Sequence, residues 1–158
     1  MPIKTSIRLI LVLSAWLNCV VCQASGSVTH FSRFSLEQGL SQNTVLSVLK
    51  DSYGFLWFGT GDGLNRFDGY TFKVFRHNAQ SAGTDSTAIS NYSLSNNAVK
   101  SLYEDSKGRL WVGTYGGGLN RYDAQSERFI HFRHDKADPH SLSDDIILSI
   151  FEDSHGVL

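Results

Sequence analysis

Several groups of residues in this chain have the chemistry for catalysis or ligation. Asp51, Asp105 and Asp153 each open an Asp-Ser-x-Gly stretch that closes on Gly54, Gly108 or Gly156. A carboxylate can serve as a general acid or base, and it can ligate calcium. A calcium loop alternates oxygen ligands, however, and Tyr53 and Phe55 fall where those belong. Asp first and Gly fourth is the signature of a type I turn, which predicts that these carboxylates accept backbone N–H groups. Trp57 and Trp111 have the surface for stacking on a ligand, yet each stands in the same Leu-Trp-x-Gly-Thr context, ending Gly59-Thr60 and Gly113-Thr114. That recurrence predicts packing between repeated sheets. The glycine runs Gly61–Gly63 and Gly116–Gly118 would suit a phosphate only if a helix followed, and a strand pattern follows instead. His131 falls in a predicted strand, whereas His77, His134 and His140 fall in predicted loops, and none is spaced for a metal. The G-x-S-x-G elbow of a serine hydrolase is absent. These patterns predict no catalytic residues, no metal site, no cofactor and no enzyme activity within the chain.

The elements that carry these residues repeat. Residues 40–68 align with 94–123 at more than half of their positions, and 142–158 begins a third copy. Asp51, Asp105 and Asp153 are 54 and 48 residues apart, close to the period of large propeller-type repeats. Each copy reads as a strand, the Asp turn, a second strand, a glycine turn, a third strand, and a fourth strand with the spacing Phe-x-x-Phe (Phe72 and Phe75, Phe129 and Phe132). Four antiparallel strands make one propeller blade. The first strands, starting at Val45, Val99 and Ile147, carry apolar residues on both faces and are expected to be covered on both sides. No segment of the body has capped 3.6-residue periodicity, so no helix is expected there.

The fold class is therefore all-β: an incomplete β-propeller with blade 1 at about 40–76, blade 2 at about 94–133 and the start of a third blade at 142–158. Phe31 and Phe34 share the spacing of the fourth strands. They predict an orphan outer strand that would complete another blade and remove an open edge. Two whole blades do not close a ring of four to eight, so the chain reads as the amino-terminal piece of a longer propeller.

Residues 1–24 read as a cleavable secretory signal peptide. Lys4 and Arg8 precede an apolar run from Leu9 to Val21, and small residues lead to a cut after Ala24. That run is too short to span a bilayer. Both cysteines, Cys19 and Cys22, leave with it, so 28–158 carries no disulfide framework. The formal net charge of −1 provides no surplus of Lys and Arg for nucleic acid. With 41% hydrophobic and 12% aromatic residues the chain is not disordered. The expected location is the periplasm.

The connection from Arg76 to Ser93 is longer than its counterparts. Insertions in repeat proteins gather on one face, often the binding face. Arg76, His77, Asp85, Asn91, Tyr92 and His140 are thus candidates for a ligand-facing rim, for an unidentified small molecule or glycan.

The pattern D-S-x-G-x-L-W-x-G-T-x-x-G-L-N-R-[FY]-D resembles the two-component regulator propeller repeat, and the resemblance extends from Phe31 to Leu158. It implies the extracytoplasmic ligand-sensing region of a bacterial signal-transduction receptor. In such receptors a β-sandwich, a transmembrane helix and a histidine kinase or diguanylate cyclase follow, and the receptor dimerises. None of those modules is in this sequence, so membrane attachment is expected only through missing downstream segments. Two alternatives remain. One is a fragment of an exported propeller enzyme of the streptogramin-lyase type, whose repeats also carry D-x-x-G-x-[LV]-W. The other is a non-functional truncated product.

Overall fold

A computed structural model describes residues 31–78 and 93–158. The expected signal peptide and the rim residues Asp85, Asn91 and Tyr92 lie outside the described residues. Among the described residues there are eight strands: β1 Val45–Lys50, β2 Leu56–Thr60, β3 Gly63–Phe67, β4 Phe72–Phe75, β5 Val99–Glu104, β6 Leu110–Thr114, β7 Leu119–Asp123 and β8 Arg128–Phe132. They form two four-stranded antiparallel sheets in the orders β1-β2-β3-β4 and β5-β6-β7-β8, which are the two expected blades. Among the described residues no helix is long and apolar enough to cross a membrane.

The turns explain the strand order. Gly54 N–H donates to the Asp51 carbonyl and Gly108 N–H to the Asp105 carbonyl, at 3.1 and 2.8 Å. Gly54 and Gly108 have φ of +94° and +71°, a region where a Cβ is strained. Both first strands also carry the same irregularity, at Val45/Ser47 and at Val99/Ser101. It sets Ser47 opposite Gly59 and Ser101 opposite Gly113.

The core lies between the blades. Trp57, Leu64, Leu94, Val99, Leu110, Val112, Tyr122 and Phe129 are buried together. Strand β5 contributes Val99, with no exposed surface, to this joint. Strand β1 does not match the expectation of cover on both sides: Val48 keeps 59% of its surface exposed. The strand pattern is the same, but among the described residues no sheet packs on that face of blade 1.

Two further expectations change. Residues 31–34 form no strand; the chain there enters a single 3-10 turn at Leu36–Gln38, where none was expected in the body. Ser35 and Gln38 cap that turn reciprocally, and Gly39 ends it in the left-handed region at φ +104°. Likewise 147–153 forms no strand, although the isolated bridge Tyr115–Ile146 leads into it. A ladder needs a run of partner N–H and C=O groups; Ile147 N–H reaches the Thr114 carbonyl at 2.9 Å, but no strand among the described residues continues the pairing along either segment. The turn at Asp153 forms regardless, with Gly156 N–H on the Asp153 carbonyl at 3.1 Å, because its bonds are local.

Candidate functional site

The polar residues of the repeat make the same bonds in both blades. Asp51 Oδ1 accepts from the N–H groups of Tyr53 and Phe55, and its Oδ2 accepts from Trp57 Nε1 at 2.7 Å. Asp105 does the same for Lys107, Arg109 and Trp111, again with 2.7 Å to the indole. Arg109 Nε adds a fourth donor to Asp105 at 2.5 Å. Burial alone would raise the Asp105 pKa, but the bonds from Trp111 and Arg109 outweigh it and hold the group below its ordinary value. Each carboxylate thus shapes its turn and fixes its indole: Trp57 in the core between the blades, and Trp111 against Phe132 of its own blade. With every oxygen occupied by donors, these aspartates are poor candidates for proton transfer.

A second contact crosses the joint. Ser52 donates to Glu104 through its N–H and hydroxyl, at 2.8 and 2.6 Å. Ser106 donates to Glu152 in the same way, at 2.7 and 2.8 Å. The serine after each turn aspartate is therefore riveted to the glutamate that precedes the next turn aspartate. This pair is not among the residues that the repeat pattern singles out. Its signal was present, since Glu-Asp-Ser recurs at 104–106 and 152–154 while blade 1 has Lys50-Asp51-Ser52.

Asn65 and Asn120 are wholly buried. Asn65 accepts from Ser41 N–H and donates to Ser41 Oγ and the Phe58 carbonyl. Asn120 repeats this with Ser95 and Val112. Each amide ties the chain entering a blade to that blade's own second strand.

A partly open space of about 180 Å³ at the joint is bordered by Tyr53, Phe55, Trp57, Arg66, Leu110 and Tyr122. Arg66 lies over the Phe55 ring at 4.8 Å and donates to the Tyr122 hydroxyl at 3.2 Å. It also pairs with Glu127 at 3.4 Å, and Glu127 receives Lys73 as well. Lys73 first, then Arg66, holds the Glu127 carboxyl below its ordinary value, while burial raises the Tyr122 hydroxyl. The charged groups around this space already bond one another.

Of the rim candidates, Arg76, His77 and His140 lie among the described residues. Arg76 pairs with Asp62 at 3.0 Å. His77 donates its N–H to Asn97 Oδ1 and its ring Nδ1 proton to the Leu94 carbonyl at 2.8 Å. His134 repeats both bonds in blade 2, with Asp145 and the Leu142 carbonyl. His140 sits in the loop after blade 2, where Asp138 accepts its N–H, near Trp111 and Phe132. Burial lowers the His131 pKa, partly offset by its bond to the Ser93 carbonyl. Among the described residues no three His, Cys, Asp or Glu are grouped to hold a metal.

Stacked four-stranded sheets pinned by the same Asp–Trp pair define the class: these are β-propeller blades. The family model for the two-component regulator propeller matches residues 39–62 and 93–116, one stretch in each blade. The crystal structure of the extracellular domain of a hybrid two-component system from B. thetaiotaomicron, BT3049, aligns over 79% of this chain. Its TM-score is 0.69 and its identity 32%, and the alignment covers 16% of that domain's own length. A second extracellular domain from the same organism, BT4673, aligns over 79% of this chain at 24% identity and a TM-score of 0.38. Histidine kinase P4 of Formosa agariphila is 47% identical over 68 residues, which is 43% of this chain and 5% of that kinase. The chain thus spans a small fraction of the relatives it matches.

Proposed function

We propose that this chain belongs to the extracytoplasmic, ligand-sensing propeller of a bacterial signal-transduction receptor and performs no catalytic step itself. The likeness to the BT3049 extracellular domain, at 32% identity over 79% of the chain, carries this reading. The joints support it. A sensor must exist in two packings that a ligand binds unequally. Blades pinned at the same atoms from joint to joint move as units, so a ligand bound at the rim would bias the whole stack. The ligand is a small molecule or glycan met in the periplasm, and the rim includes the connection after Arg76.

Two measurements test the proposal. Fractionation of cells expressing the chain is expected to find it in the periplasm with residues 1–24 removed. In the complete receptor, deleting residues 79–90 is expected to abolish the response to ligand without changing the melting temperature. An unprocessed cytoplasmic product, or a full response from the deletion variant, overturns the assignment.

A further inference from the structure

The space at the joint lies at the end of the blades that carries the Asp turns, whereas the connection after Arg76 leaves β4 from the opposite end. Both blades supply its walls: Tyr53, Phe55 and Trp57 from blade 1, Leu110 and Tyr122 from blade 2. Tyr53 keeps 77% of its surface exposed, so the space is reached from solvent. An engineered apolar cavity of about 150 Å³ takes up benzene, so a space of about 180 Å³ admits one six-membered ring with a small substituent.

Its polar groups are unequally used. Asp51 and Glu104 border it with every oxygen already accepting: Asp51 from Tyr53, Phe55 and Trp57, and Glu104 from Ser52. The donors are not spent. A guanidinium carries five N–H donors, and among the described residues Arg66 uses two, on the Tyr122 hydroxyl at 3.2 Å and on Glu127 at 3.4 Å. Both bonds are long for N–H to oxygen. Tyr122 accepts there, and its own hydroxyl proton has no acceptor among the described residues. Stacking on Phe55 at 4.8 Å and beside Trp57 at 5.8 Å holds the guanidinium at the edge of the space. Unused donors beside aromatic walls suit a ligand that brings anionic acceptors and a flat apolar face. Blade 2 does not copy the arrangement. There Arg109 stands at the place of Phe55, and its guanidinium turns onto Asp105 and Trp111.

We propose that the joint between the two blades is a binding site, apart from the rim, for a small planar aromatic monocarboxylate. The carboxylate takes the unused N–H groups of Arg66 and the hydroxyl proton of Tyr122, and the ring lies among Phe55, Trp57 and Leu110. Glu127 keeps its bond to Lys73 when the ligand draws on Arg66. Arg66 and Phe55 belong to blade 1, Tyr122 and Leu110 to blade 2, so the ligand bridges the joint and favours the packing in which these four residues meet.

Titrating benzoate into the isotope-labelled full chain, with the indole N–H signals followed by NMR, tests this. The Trp57 signal is expected to shift and the Trp111 signal to stay, with half-saturation at about 1 mM, within reach of a ligand of this size. Benzyl alcohol has the ring without the charge, and glucuronate has the charge without the flat ring; each is expected to bind at least about tenfold more weakly than benzoate. Arg66→Met keeps the apolar stem and removes the fork, and is expected to abolish the shift. Tyr122→Phe keeps the ring and removes one donor, and is expected to weaken binding about threefold to tenfold. It carries the test alone should Arg66→Met fail to fold. No Trp57 shift at about 20 mM benzoate, equal binding of either comparison compound, or a folded Arg66→Met or Tyr122→Phe chain that binds benzoate as the parent does, overturns the proposal.

Discussion

Gly59 stands at the closest approach of the two blades, and substituting it isolates what that approach costs. A Cβ built there would lie 2.3 Å from Ser47 Oγ and 2.6 Å from Val99 Cγ1. Carbon atoms in good contact are about 3.5–4.0 Å apart, so Val99 would have to retreat by about 1 Å. Val99 has no exposed surface and sits among Trp57, Leu64 and Val112, so that retreat strains the packed core. Overpacking of this kind typically costs about 1–3 kcal/mol, and two clashes place Gly59→Ala near the upper end. The backbone at Gly59 is ordinary, so the loss is steric. Gly54→Ala provides the contrast: φ is +94° and no atom lies within 4 Å, so only the strained backbone is felt, about 1 kcal/mol. Urea titration, read as a change in midpoint at constant slope, measures both. Adding Val99→Ala to Gly59→Ala should recover part of the steric loss, so the two substitutions should combine to less than their sum by about 1 kcal/mol. A Gly59→Ala loss under about 0.5 kcal/mol, or strict additivity with Val99→Ala, would refute the close-approach argument.

Other substitutions separate the remaining contacts. Ser47 Oγ is buried without a hydrogen-bond partner, whereas Ser101 Oγ donates to the Ile147 carbonyl at 3.4 Å. Ser47→Ala should therefore be neutral or stabilising by up to about 1 kcal/mol and Ser101→Ala destabilising, as paired melts would show. Trp57→Phe removes the donor to Asp51 and part of the joint filling; denaturant midpoints should report a loss of about 2–3 kcal/mol. The Asp105 pKa lies below its unfolded value, so its contribution to stability is present above the ordinary carboxylate range and is lost as pH falls through the folded value. Melts between pH 6 and pH 2 should accordingly fall less steeply in Asp105→Asn, from a lower start, than in the parent chain.

Much of the fold was legible because its turns are local. Asp51 and Gly54 lie three residues apart and build their turn unaided, so the pattern appears in sequence and recurs wherever the sequence recurs. Asp153 makes the same turn where no strands flank it. The reach of Asp51 to its own Trp57 spans only six residues and follows from the same frame. The candidate rim was less legible. Arg76 and His77 prove to be engaged by Asp62 and by the carbonyl of Leu94, contacts for which spacing offers no rule.

Residue order alone determined the alternation of strands and turns, the two sheets and the common role of the tryptophans, because each depends on bonds closed within a few residues. Packing between distant segments decided the rest. Whether a strand pattern becomes a strand depended on a neighbour to pair with, which β1 has and residues 147–153 lack among the described residues. Ser52 found Glu104 across 52 residues because one blade stacks on the next. Backbone ladders and joints are relations between surfaces, and a surface exists only after the chain has folded.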